Sequence, residues 1–305
     1  MAETVTICEV APRDGLQIAR GRMPTPVKHR WIAAMAAAGL PQIEVGSFVS
    51  PKLIPQMADT PEIVRRAVLL PNVTIVALAP NLRGIQAAIE AGAQRISVPV
   101  SVTMGHSRAN LNRTPTEQIA EIARMVAWLR SQTPNVQLEV ALSTAFGCSF
   151  DGVVPIADVV RIAEAVAATG ADAISLADTV GYGNPADIRA KIRAVRAAVG
   201  PVMHGLHLHD TMGLGLANAL AGLEEGVRKF DSALAGLGGC PFAPGASGNI
   251  VTEDLVFMAE SLGFTTGVNL QKLIQARTIL HEGLPDEPLH GGVARAGVPK
   301  TFKAA

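Results

Sequence analysis

The chain has 305 residues, 49% of them hydrophobic, and balances 26 Lys plus Arg against 26 Asp plus Glu. That balance, with no basic run interleaved with aromatics, argues against nucleic acid as a partner. The longest uncharged stretch, Ser232 to Thr252, holds too many glycines and prolines for a membrane helix.

Three cysteines, Cys8, Cys148 and Cys240, cannot all pair with one another, so thiols are expected rather than a disulfide framework. A strand-like run begins at Val5 with no signal-like or transit-like segment before it, and a cytoplasmic protein is expected.

Short β-branched runs alternate with longer Ala-rich segments along the chain. The strand expectations are Thr4 to Val10, Gln42 to Val49, Val73 to Ala79, Arg95 to Val102, Gln137 to Leu142, Ala173 to Asp178, Val202 to His209 and Lys229 to Ala235. Helices are expected at Thr25 to Ala38, Pro61 to Leu70, Leu82 to Ala91, Thr116 to Arg130, Ile156 to Ala168, Pro185 to Val199, Leu214 to Val227 and Glu253 to Leu262. Pro near helix starts and Gly after their ends, as at Gly39, Gly92 and Gly170, suit short crossover units.

Eight β/α units without a composition break predict an α/β fold of the (β/α)8 TIM-barrel type. An open doubly wound sheet would want a G-x-G-x-x-G turn after the first strand, where the chain reads Ala11-Pro12-Arg13-Asp14-Gly15. An extra helix is expected at Asn269 to His281, followed by a Pro/Gly-rich C-terminal tail. The barrel domain is accordingly expected over residues 1–285 and the tail over 286–305.

In such a barrel the chemistry sits at the C-terminal ends of strands and in the loops after them. That rule selects Arg13 and Asp14 after the first strand, Glu44 on the second, Asp178 ending the sixth, His207 and His209 ending the seventh, and Cys240 to Asn249 after the eighth. His207 and His209 stand at i and i+2, on one face and about 7 Å apart along the strand.

With Asp14 and the Asn249 amide they form a mixed nitrogen and oxygen set. Such a set suits a divalent ion such as Mg or Mn more than a closed tetrahedral zinc site. The plainer readings are a turn at Asp14-Gly15 and a loop amide or helix cap at Asn249. Arg13 is either an ion-pair partner across the barrel mouth or a donor for developing negative charge. Cys240 lies in a Gly/Pro-dense loop suited to covering a site, whereas Cys8 reads as barrel packing and Cys148 as a bystander.

Together these segments resemble the 3-hydroxy-3-methylglutaryl-CoA lyase family of the DRE-TIM metallolyase superfamily. The resemblance is carried by EVAPRDGLQ from Glu9, IEVGSFVSPKLIPQ from Ile43, SLADT from Ser175, GLHLHDTMGLGLA from Gly205, AGLGGCPFAPGASGN from Ala235 and TGVNLQKL from Thr266. It implies Asp14, His207, His209 and Asn249 as ligands of a divalent metal, Arg13 as the residue that stabilises an enolate, and Cys240 as a catalytic thiol. Glu44 and Asp178 match active-site acids of the family, and Gln17 and Asn110 fall where substrate is bound.

The implied reaction cleaves an acyl-CoA substrate, 3-hydroxy-3-methylglutaryl-CoA, to acetyl-CoA and acetoacetate. The resemblance also implies a homo-oligomer, a dimer or larger. Asp14, Asp178 and His207 all remain open as the general base. Two departures stand out: Glu139 occupies a position where the family carries Arg, and Ala109-Asn110-Leu111-Asn112 stands for Lys-Asn-x-Asn. Both are expected near the substrate end of the barrel, and they keep open another 3-hydroxyacyl-CoA, such as citramalyl-CoA, or a Claisen-type synthase of the superfamily.

Overall fold

The computed structural model describes residues 2–238, 248–302 and 304. Eight parallel strands close into a barrel in sequence order. They are β1 (Thr6–Glu9), β2 (Gln42–Ser47), β3 (Thr74–Leu78), β4 (Arg95–Ser101), β5 (Gln137–Ser143), β6 (Ala173–Asp178), β7 (Met203–Leu208) and β8 (Lys229–Ser232). The seam is closed by β1 against β8, with Thr6 opposite Lys229 and Glu9 opposite Ser232.

Strands covered on both faces read as continuous apolar runs. β6, AISLAD, is buried at every position, and its expected limits match the observed ones. The helices Leu82–Ala91 and Pro185–Val199 are likewise found where the sequence puts them, because their ends carry strong local signals. Asn81 and Asn184 cap the first-turn N–H groups, Pro185 opens its helix, and Gly92 ends the other in the left-handed region.

Three regions differ from the periodic reading. The chain leaves β1 through a π-helical turn, Ala11–Gly15. The loop after β4 forms a helix, Met104–Leu111, whose mixed sequence offers no apolar stripe to announce it. β8 stops at Ser232, three residues before its expected end, because Ala233 pairs with Val251 and Ala235 turns at a φ of 61°.

The extra helix, Leu270–Gly283, packs on the helix Thr25–Ala37. Beyond it the chain folds back: the N–H groups of Gly292 and Val293 donate to the Asp254 carboxylate, and the Phe302 ring lies 5.1 Å from that of Phe257.

One buried carboxylate joins the seam to the loops above it. Glu9 Oε1 accepts from Ala11 N and Leu234 N at 2.9 Å each, and Oε2 accepts from the Thr252 hydroxyl at 2.7 Å. Burial pushes the Glu9 carboxyl up to about 7. Among the described residues no helix is long and apolar enough to cross a membrane.

Candidate active site

β7 carries His207 at its fifth position, and His209 follows just past its end. The alternation of the strand turns both rings to one side. Their Nε2 atoms approach to 3.1 Å, closer than the strand spacing alone suggests, because the rings tilt 51° toward each other. The segment after β8 is stitched to the same strand end: Ile250 N donates to Leu208 O and Asp210 N to Gly248 O. This pairing sets Asn249 opposite His209.

The π-helical turn after β1 brings the third group. Arg13 N and Asp14 N both donate to Val10 O, so the backbone winds tightly and returns Asp14 over the barrel. Asp14 Oδ2 then lies 3.8 Å from His207 Nε2 and 3.6 Å from His209 Nε2, and it accepts from Asn249 Nδ2 at 2.8 Å. Gly238, at a φ of 105°, lets the loop after β8 pass this turn. A Cβ there would sit 3.0 Å from Gly15 Cα and 2.8 Å from Asn249 Nδ2.

The donor atoms of Asp14, His207 and His209 all lie within 4.8 Å of one another. Two imidazole nitrogens that face each other can share only one hydrogen bond, and both cannot be protonated there without repulsion. Asn249 Oδ1 is buried and has no hydrogen-bond partner among the described residues. A divalent cation fits this set, since it would take the bare nitrogen lone pairs, the carboxylate and the orphaned amide oxygen.

Charge compensation differs from group to group around the site. Arg13 donates from Nε to Glu44 Oε2 at 2.5 Å and pairs through its terminal nitrogen with Asp14 Oδ1. Burial would raise the Asp14 carboxyl, but Arg13 and the two histidines hold it far below the usual carboxylate range. The Glu44 carboxyl is raised, since its burial outweighs the single arginine. Asp178 is pushed up to about 6 by burial, partly offset by N–H donation from Gly183 and Tyr182 at 3.0 Å each.

Of the residues expected from the sequence, Arg13, Asp14, Glu44, His207, His209 and Asn249 come together. Asp178 is on the neighbouring strand, where Ala177 pairs with His207, and its two oxygens cap the turn at 182–183 rather than bonding to the cluster. Gln17 is half-buried in the short helical turn Leu16–Ile18, and Asn110 is exposed on Met104–Leu111. Cys240 lies outside the described residues.

Cys8 is buried in the core as expected. The Cys148 thiol joins two loops, accepting from Phe150 N and Asp151 N of its own loop at 3.4 Å each and from the Thr103 hydroxyl after β4 at 3.1 Å.

The expectation for Glu139 needs correction. It sits below the histidines, toward the amino-terminal ends of the strands, where Lys229 Nζ donates to both its oxygens at 2.6 and 2.7 Å. The substitution of acid for the expected arginine is therefore matched by a lysine 90 residues away in the barrel interior. The sequence expectations did not single out Asp231, which contacts His207. The signal was present, because Lys229 and Asp231 are charged residues spaced by two within a strand.

The HMGL-like family model matches residues 4–280. Hydroxymethylglutaryl-CoA lyase of the mouse mitochondrion is 42% identical over 284 residues, 93% of this chain and 87% of the relative. The chain belongs to the HMG-CoA lyase family. The Bacillus subtilis HMG-CoA lyase superposes with a TM-score of 0.92 at 37% identity, covering 96% of this chain and 98% of that one. An HMG-CoA lyase from Acinetobacter baumannii, solved with coenzyme A and 3-methylmalate, gives 0.91 at 39% identity over 99% and 98% of the two chains. The TIM-barrel fold inferred from eight β/α repeats is thus the fold of this family.

Proposed function

We propose that this protein cleaves 3-hydroxy-3-methylglutaryl-CoA to acetyl-CoA and acetoacetate, using Mg or Mn held by Asp14, His207, His209 and Asn249. The observation that carries this reading is the convergence of Asp14 Oδ2 with two facing Nε2 atoms beside a fixed arginine. A bound divalent ion would act as a Lewis acid toward the substrate's hydroxyl and carboxylate oxygens.

The remaining tasks fall to the chain. Breaking the C2–C3 bond sends its electron pair toward the thioester, so negative charge grows on the thioester oxygen while the C3 hydroxyl, losing its proton, becomes the acetoacetate ketone. Arg13 suits the enolate oxygen because Glu44 and Asp14 grip it from two sides and leave little reorganisation to the reaction.

Asp178, His207 and Asp14 divide as proton acceptors by their surroundings. Asp14 is held ionised and is a weak base, whereas a carboxyl at about 6, as in Asp178, suits proton transfer near neutrality. We assign the final protonation of C2 to Cys240, on the resemblance of its loop. Cys240→Ser is then expected to lower turnover about a hundredfold.

The decisive experiment measures turnover on a panel of 3-hydroxyacyl-CoA thioesters before and after chelation. Cleavage of 3-hydroxy-3-methylglutaryl-CoA with the highest kcat/KM, abolished by chelation and restored by Mg or Mn, is expected. The 3-methylmalate in the Acinetobacter relative favours a second reading, a smaller hydroxy diacid as the acyl group, and a citramalyl-CoA arm tests it. Full activity in metal-free protein would sink the metal assignment.

A further inference from the structure

Below the facing histidines the barrel interior holds charges that the proposed reaction does not use. β7 and β8 run in register with Gly205 opposite Lys229 and His207 opposite Asp231. Asp231 Oδ2 lies 3.3 Å from His207 Nδ1, on the far side of the ring from the Nε2 that faces His209. Lys229 Nζ stands 3.2 Å from the other oxygen of the same carboxylate, Oδ1. The same ammonium donates to both oxygens of Glu139, and Arg95 flanks that acid at 3.7 Å.

Lys229 and Glu139 are only 4% and 5% exposed. A buried ion pair seldom stabilises a fold more than well-packed apolar residues would, because desolvation cancels most of the attraction. Its effect here is geometric. The Asp231 carboxylate only accepts, so the Nδ1 atom that meets it carries the proton and Nε2 keeps its lone pair. Lys229 restrains the second oxygen, which keeps the carboxylate from rotating away, and Glu139 balances the lysine. His209 has no equivalent among the described residues, where its buried Nδ1 finds no hydrogen-bond partner.

We propose that the buried chain Glu139–Lys229–Asp231 positions His207, fixing it as the Nδ1–H tautomer with Nε2 presented to a divalent ion. It rests on the reading of Asp14, His207 and His209 as a metal site. Outer partners of this kind typically change metal affinity by about ten- to a hundredfold.

The test titrates Mn2+ into metal-stripped protein, follows the free ion by EPR, and reads imidazole coordination from nitrogen modulation of the bound ion. The parent is expected to bind with two imidazole nitrogens. A parent that binds no ion, or binds it without imidazole, overturns the metal reading itself. In Asp231→Asn the amide oxygen stays with Lys229 and the NH2 faces His207 Nδ1, which favours the wrong tautomer. Affinity is expected to fall about ten- to a hundredfold, with one imidazole signal weakened.

Glu139→Met combined with Lys229→Met removes one acid and one base together, which keeps the net charge of the barrel interior unchanged and leaves Asp231 with His207 as its remaining partner. That double variant is expected to bind Mn2+ roughly tenfold more weakly. Parent-like affinity and imidazole signals in Asp231→Asn, with the parent site intact, would overturn the proposal. Parent-like binding in the double variant would overturn the chain and leave only an Asp231–His207 contact.

Discussion

Asp14, half-buried, and Asp178, fully buried, are carboxylates just beyond or at the end of a barrel strand, yet they are displaced in opposite directions. Asp14 is surrounded by Arg13, His207 and His209 and sits far below the ordinary range, while Asp178 accepts from two backbone N–H groups among the described residues and rises to about 6. Burial pushes both upward. The difference lies in whether a full opposite charge or a pair of peptide dipoles answers it. Strand-end position therefore selects residues for the site, and the surrounding charge divides the roles among them.

The largest effect that would break the comparison is expected at Asp14. Asp14→Asn removes the anionic member of the cluster, and turnover with Mg or Mn is expected to fall by at least about a thousandfold, with Mn2+ binding lost in the same titration. Near-normal turnover would show that the facing histidines do not need that charge. Arg13→Lys keeps the cation but loses the planar two-sided grip on Glu44 and Asp14. A fall of about a hundredfold in kcat with little change in KM is expected from steady-state kinetics.

Asp178 sharpens the comparison through pH. If it accepts the substrate proton, kcat/KM of the parent should fall below about pH 6, and Asp178→Asn should lose both that limb and most of its turnover. Stability supplies a second readout. The folded-state value of about 6 lies above the 3.8 of an ordinary Asp. The native protein thus binds more protons than the unfolded chain between those values, and this group's contribution to stability declines as pH rises through that window.

Asp178→Asn should flatten the decline, by up to about 3 kcal/mol over the window, in chemical denaturation at stepped pH. Asp14 has the opposite sign. Its contribution is present above the unfolded value and is lost as pH falls through the carboxylate range.

The smallest effect is expected at Cys8, which lies in the same barrel but meets no substrate. Cys8→Ser replaces a buried thiol that lies near Asp231 and Lys229 with a hydroxyl and should cost about 1–3 kcal/mol in denaturant titration while turnover stays at the parent level.

The strands and most helices were legible because their signals are local: β-branched runs, Asn caps, Pro at first turns and Gly after last turns. The cluster at Asp14, His207, His209 and Asn249 was legible from strand-end position together with motif resemblance. What escaped was nonlocal. No spacing along the chain links Glu139 to Lys229, and the π-helical turn that returns Asp14 to the barrel has no periodic signature. Asp231 was missed differently: it lies inside the four-residue strand KFDS and not at a strand end, the position that marks site residues in a barrel.

The Glu9 carboxylate has a consequence for how the molecule is made. Its partners Leu234 and Thr252 lie 225 and 243 residues further along the chain, and β1 finds its second neighbour only in β8. A ribosome adding about 5–20 residues per second needs roughly 10 to 50 s to travel those distances. For that interval β1 has one open edge and Glu9 lacks two of its three donors. Closure of the barrel is therefore a late event of synthesis, and the turn that carries Arg13 and Asp14 gains its anchor to the far end of the chain only then.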